Sequence, residues 1–409
     1  MADYPGPAPA NGHGIAPREN LALSAFFFLY YAAVAFGVAF VPVFMKERGL
    51  SLAEIGVTSA LSAVVAGFAQ ARLGHLSDAI GSRKGICAVS CVMLGVSYLF
   101  YGFGHSFAGF LALCLWSGVF YLVAFSLPAA IISDLTSAAG STARGFSATR
   151  IWGTIGFIAS LVLISLWPAI AQGTSFLYWI AGFYIASAIP ILMVREAPIT
   201  TTDHGMFKGA MNVLRSQRSW VFLACYTLFR TCESGVLNYM GLYVKQLGGD
   251  SSVWSMAYLI AAVAEIPMVL LMGKISDRVG RKGPLIVAFI AWPIRLYAYS
   301  LLVVPTSIYY IQLFHGFTYG IMLICAVAYM SDIAPRDLRG TAQGLLNTGS
   351  AISMAVGPLL VGILGDALGL AATFRVMAAI TVVGLALLVL FVREPKAQPG
   401  ESVQSCVSD

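Results

Sequence analysis

Gly273-Lys274-Ile275-Ser276-Asp277-Arg278-Val279-Gly280-Arg281-Lys282 has an earlier counterpart, Gly74-His75-Leu76-Ser77-Asp78-Ala79-Ile80-Gly81-Ser82-Arg83-Lys84, whose leading glycine lies 199 positions upstream. That offset is close to half of the 409-residue chain. Each copy ends one long apolar run and precedes another, so each reads as a basic hairpin between two buried helices. Gly74 and Gly273 are expected to permit close helix approach, while Asp78 and Asp277 compensate partial charges at helix ends. Gly81, Arg83, Arg278, Gly280 and Arg281 complete the two turns, and their cations suit an anionic headgroup layer.

The composition agrees with a membrane setting. Hydrophobic residues make up 59% and charged residues 10%, with a mean hydropathy of +0.83, against roughly 25% charged residues in soluble domains. Seven cysteines lie almost entirely in apolar segments without a Cys-x-x-Cys pair, which indicates neither a disulfide framework nor a zinc site. Cys87 and Cys91 share a helix face and read as packing. No metal or cofactor is expected.

Working outward from the hairpins, twelve apolar segments each suffice to cross about 30 Å of hydrocarbon at about 1.5 Å per residue. They are expected at 21–45, 52–75, 85–105, 107–133, 147–168 and 175–194, then at 219–243, 252–274, 284–304, 307–331, 341–364 and 370–392. Residues 1–20 and 393–409 read as tails, and 195–218 as a polar interdomain loop. Further repeat anchors are Ser133-Asp134 with Ser331-Asp332, Arg144-Gly145 with Arg339-Gly340, and Val194-Arg195-Glu196 with Val392-Arg393-Glu394. The expected fold is an all-α membrane protein of two pseudo-symmetric six-helix bundles, 21–194 and 219–392.

Of the 24 basic residues, Lys46, Arg48, Lys245 and Arg375 fall on one side, three lie inside helices and seventeen on the side of both termini. The crowded side is expected to be cytoplasmic, in a bacterial inner membrane. The basic pI of 8.9 follows from this asymmetry and calls for no nucleic-acid partner.

Charges at membrane depth are costly, about 2.5–3.5 kcal/mol each on insertion scales, and mark partners or function. Arg150 lies on the fifth segment, Arg230 and Glu233 on the seventh, Glu265 on the eighth, Arg295 on the ninth and His315 on the tenth. Arg230 and Glu233, three apart, share a face and form an expected intramembrane pair. Glu265 and Arg295 on neighbouring segments, joined by His315, have the makings of a proton-coupling group. Three arginines against two glutamates leave one excess positive charge, which favours an anionic or electron-rich solute.

The repeated hairpin resembles the signature loop of the major facilitator superfamily; the first copy differs from the second at Ala79 and Ser82, where that family carries basic residues. Arg150-Ile151-Trp152-Gly153-Thr154-Ile155-Gly156-Phe157 is similar to the fifth-helix motif of proton-coupled nucleoside and phenylpropionate permeases, and more distantly of lactose permease. Glu265 before Ile-Pro, Trp292-Pro-Ile-Arg295 and Leu313-Phe-His315-Gly316 resemble coupling helices of the same group. The resemblance implies Arg150 in solute binding and Glu265, Arg295 and His315 in coupling. Lactose permease has a further carboxylate one turn after the histidine, where this chain has Thr318, and the tenth-helix aspartate of nucleoside permeases is missing.

The expected function is alternating-access transport by a monomer, most simply uptake of an organic or aromatic acid with a proton. Tyr30, Tyr31, Trp152 and Tyr239 are candidate aromatic lining. Nucleoside symport and drug export on the same fold are alternatives, as is a non-transporting membrane sensor. No nucleophile motif, nucleotide loop or metal-ligand spacing points to an enzyme.

Overall fold

The computed structural model describes residues 16–138, 144–196, 206–335 and 338–394. Most of the expected tails, part of the interdomain loop and the side chain of Asp277 lie outside the described residues. Helices α1 (Pro17–Glu47), α2 (Leu52–Ile80), α3 (Arg83–Tyr101), α4 (Phe107–Ala138), α5 (Arg144–Leu166) and α6 (Ser175–Leu192) form one bundle. The second contains α8 (Gln217–Gln246), α9 (Ser251–Val279), α10 (Lys282–Ser300), α13 (Arg339–Leu368) and α14 (Leu370–Phe391). Its remaining span runs through α11 (Ile308–Gln312), a π-helical turn (Gly316–Gly320) and α12 (Ile321–Ile333). The chain thus crosses twelve times. Between the bundles, the stretch expected to be a polar loop instead contains a short helix, α7 (Met206–Leu214), which buries Val213 and packs on α13.

Among the described residues, ten spans are long and apolar enough to cross a membrane. The other two crossings, α8 and α10, carry Arg230 with Glu233 and Arg295. Those charged residues lower the hydropathy of the two helices below that of the other crossings.

Helices of one bundle have no hydrophobic drive to associate in lipid, so close backbone packing substitutes for it. On α5, Gly156 faces α1 so tightly that an added Cβ would lie 2.2 Å from the Phe28 carbonyl oxygen. The pseudo-equivalent seam joins α8 to α13, where a Cβ on Gly357 would lie 2.3 Å from the Thr231 carbonyl oxygen. Elsewhere the interior is filled by side chains, including a tyrosine group in the first bundle. Tyr98 stacks on Tyr101 with centroids 4.9 Å apart, and Tyr30 meets Tyr184 edge-on at 5.3 Å.

The bundles touch at the end away from the chain termini. There α2 packs on α13, with Gly56 against the Pro358 carbonyl and Gly362 against the Leu52 carbonyl. Lys245 pairs with Glu47 across the ends of α8 and α1. At the terminal end, Gly67, Gly74, Gly273, Gly340 and Gly344 all face open space. The close helix approach expected at Gly74 and Gly273 is accordingly not formed, because the cleft between the bundles opens on that side.

Gly156→Ala forces a Cβ into rigid backbone, at a cost of about 1–3 kcal/mol. Its melting temperature in detergent should fall by several degrees. Gly182→Ala, with nothing within 4 Å of the added methyl, should leave the melting temperature unchanged or raise it slightly.

Candidate functional site

The fifth-helix motif places its residues by rotation around α5. Thr149, Gly153, Gly156 and Ser160 are buried toward α1. Arg150 emerges beside that face. Its guanidinium donates to the Tyr31 hydroxyl and lies over the Tyr31 ring at 4.0 Å and the Phe27 ring at 5.9 Å. Tyr31 in turn meets Phe125 of α4, with centroids 6.4 Å apart. No carboxylate among the described residues lies within ion-pair distance of Arg150. The cation is held by aromatic faces and one hydroxyl, with no anion beside it among the described residues.

The remaining aromatic candidates do not join it. Trp152 is two residues on, about 200° around the helix, and lines a separate crevice with Leu21, Ser24 and Phe28 of α1. Tyr30 is buried, and its hydroxyl donates to the Tyr121 carbonyl at 3.2 Å. Tyr239 is also buried, and its hydroxyl reaches the carbonyls of Leu52 at 2.8 Å and Pro358 at 3.1 Å. It belongs to the contact between bundles.

The second bundle collects the titratable group around the π-helical turn. Arg295 reaches from α10, 4% exposed, and donates through Nη1 to His315 Nδ1 at 2.8 Å and Thr318 Oγ1 at 3.0 Å. Its Nη2 donates to Gln312 Oε1, which also accepts from the Tyr299 hydroxyl at 3.1 Å. A guanidinium has no acceptor, so His315 Nδ1 must offer its lone pair and the neutral ring carries its proton on Nε2. That nitrogen lies 3.8 Å from Glu265 Oε2. The expected direct Glu265–Arg295 pair is not formed; His315 stands between them, hydrogen-bonded to Arg295 and near, but beyond hydrogen-bond distance of, Glu265. Arg230 pairs with Glu233 on the same face of α8, as their spacing implies, and lies 5.2 Å from the Tyr319 ring. Tyr319 stacks on His315 at 5.4 Å. Two carboxylates and two arginines are thereby linked through one imidazole and one phenol.

The π-helical turn inserts one extra residue per turn and presents His315, Thr318 and Tyr319 to these partners. It also lies flush against α9: a Cβ on Gly316 would stand 2.3 Å from the Ala264 carbonyl oxygen. Gln312, Tyr319 and Phe125 were missed as site residues. Their only sequence signal was helical spacing from His315 or depth matching Tyr31, which packing residues share.

The two halves of the site stand in register. Phe157 of α5 meets Tyr258 of α9 with centroids 6.1 Å apart and planes at 70°. Arg150 lies seven residues before Phe157, and Glu265 seven residues after Tyr258. Because the helices run antiparallel, both positions lie about 10 Å nearer the open end, on the faces that the touching rings define. Arg150 and Glu265 therefore line opposite walls of the cleft at one depth.

At the cleft mouth the repeated hairpins are built alike. Gly81 and Gly280 adopt φ of 75° and 81°, in the left-handed region that favours glycine. Arg83 donates to Asp78 at 2.9 Å and pairs with Asp134; Arg281 pairs with Asp332 at 2.9 Å and donates to Ser276 at 2.7 Å. Glu196 accepts from the Lys84 backbone N–H at 2.7 Å, and Glu394 from those of Arg281 at 2.6 Å and Lys282 at 2.8 Å. The sequence difference at Ser82 is hence an insertion. Ser82 caps α3 by accepting from Gly85 N at 3.3 Å, and Arg83 fills the place of Arg281. Arg278 sits in the last turn of α9.

Residues 20–376 match a family model described as MFS_1 like family. The chain is 23% identical to maltose permease of Geobacillus stearothermophilus, over 94% of this chain and 97% of that protein. It is 24% identical to the cis,cis-muconate transport protein of Acinetobacter baylyi, over 87% and 89%. A crystal structure of a mutant of the nucleoside transporter NupG superposes with a TM-score of 0.82 at 17% identity, covering 92% of this chain and all 100% of that one.

Gly316→Ala should push the π-helical turn off α9 and part His315 from Glu265. In proteoliposomes, transport should fall at least tenfold. The insertion at Ser82 is tested separately: Arg83→Gln should abolish transport, and Ser82→Arg placed on that background should fail to restore it.

Proposed function

Because the chain belongs to the MFS_1 like family of major facilitator transporters, we propose that it takes up a small organic acid together with a proton. The observation that carries this reading is Arg150, a cation on the cleft wall with only aromatic and hydroxyl partners among the described residues. A solute carboxylate supplies the missing anion, and Tyr31 and Phe125 offer π-faces to an unsaturated or aromatic body. The relative named for cis,cis-muconate, an unsaturated organic acid, supports the same class.

Coupling follows from the opposite wall. An ionised Glu265 facing an incoming carboxylate repels it, so solute binding and protonation of Glu265 favour one another. His315 cannot take up a proton on Nδ1 without losing the Arg295 bond, so the transported proton resides on Glu265 and His315 presents its Nε2–H to that carboxylate. Gln312, Thr318 and Tyr299 orient this group. Arg230 and Glu233 neutralise each other beside it. The basic residues clustered at the terminal end support a cytoplasmic position for that end, and on this reading the open cleft is the inward-facing state of an alternating-access cycle.

Reconstitution in liposomes with an internal pH dye tests the reading. Aromatic and unsaturated acids should evoke proton entry, and nucleosides and sugars should not. Glu265→Gln should lose proton entry and accumulation while keeping acid exchange. Arg150→Lys should raise the half-saturating acid concentration about ten- to a hundredfold, as expected for a lost bidentate carboxylate contact. Proton entry evoked by nucleosides alone, or unchanged in Glu265→Gln, would overturn the proposal.

A further inference from the structure

The outer end of α2 divides its capping between the two bundles. Ser51 and Glu54 form a capping box within the first bundle: the Ser51 hydroxyl accepts from Glu54 N at 3.1 Å, and the Glu54 carboxylate accepts from Ser51 N at 2.8 Å. The next free donors are served from the second bundle. Asp366, near the end of α13, accepts from Leu52 N at 3.0 Å and from Ala53 N at 2.7 Å, one carboxylate oxygen for each. Directly beneath, the Tyr239 hydroxyl ties the Leu52 carbonyl to α8.

We infer that Asp366, seconded by Tyr239, is a latch that holds the outer end of the cleft shut. Opening that end requires α2 and α13 to separate, which removes the carboxylate from the positive end of the α2 dipole and strips the Leu52 carbonyl of its donor. The resident capping box keeps the first turn of α2 intact while this happens. Only the borrowed part of the cap is lost, and water at the mouth can replace it. A latch of this kind is strong enough to bias the equilibrium and weak enough to open in each cycle. By contrast, the Lys245–Glu47 tie between α8 and α1 is half-exposed on both sides and contributes little. The inference depends on alternating access and not on the solute being an acid.

The full chain, with its native cysteines replaced, carries spin labels at Lys46 and Leu368, at the outer ends of α1 and α13. Pulsed electron paramagnetic resonance then reads the ratio of open to closed outer ends. Asp366→Ala should raise that ratio about three- to tenfold, the range expected when charge-assisted hydrogen bonds at a partly exposed site are lost. Tyr239→Phe, which keeps the ring packing, should shift it in the same direction. Ser51→Ala removes a cap wholly inside one bundle; it should lower thermal stability and leave the ratio unchanged. An unaltered distance distribution in both Asp366→Ala and Tyr239→Phe, or an equal shift in Ser51→Ala, would overturn the latch.

Discussion

A guanidinium inside an apolar bundle must find acceptors, and where each arginine finds them organises this molecule. At the cleft mouth Arg83 and Arg281 take carboxylates from α4 and α12, tying a hairpin to a helix that is distant in sequence. Arg230 takes Glu233 one turn away. Arg295, with neither arrangement open to it, draws in Gln312, His315 and Thr318, and so dictates how the tenth crossing must be shaped. The buried cation thus takes acceptors both ahead of the π-helical turn, Gln312 and His315, and within it, Thr318. Arg150 and Arg295 both lack a carboxylate within ion-pair distance among the described residues, but Arg295 is met by an amide, an imidazole and a hydroxyl, and Arg150 by aromatic faces and one hydroxyl.

Much of this architecture was legible because the same demand acts twice. The repeat anchors Asp134 with Asp332 and Glu196 with Glu394 were visible as bare coincidences of spacing. In the structure they are the partners of the hairpins: the aspartates receive Arg83 and Arg281, and the glutamates cap the helices that follow. The offset falls by one between Gly81 and Arg83, which an ungapped reading mistakes for loss of a cation at Ser82. Pairing with Asp134 shows that the cation has moved by one position and kept its partner.

Other parts of the site left no comparable trace. The π-helical turn costs the sequence nothing distinctive, since its glycines also serve ordinary close packing against α9. Aromatic residues were the least readable, because a tyrosine at membrane depth serves equally as core, as lining or as a tether between bundles. Tyr30, Tyr31 and Tyr239 take one of those roles each. Rotation about the helix axis decided between them: Arg150 and Trp152, two residues apart, necessarily point to different places. The charged residues were more readable, since an apolar surround leaves few tolerable arrangements for them.

The distribution of contacts along the cleft also constrains how the bundles move. Phe157 and Tyr258 touch between the closed outer end and the wall positions of Arg150 and Glu265. Rocking about that contact would bring the two walls together as the outer end separates, because both positions lie on the far side of the pivot. Solute bound between them is then enclosed by the same motion that breaks the contacts of α2 with α13. Under the proposed function, charge balance across the cleft and backbone capping at its outer end would be opposite arms of one lever, and an anion that neutralised Arg150 would lower the cost of closing the walls on it.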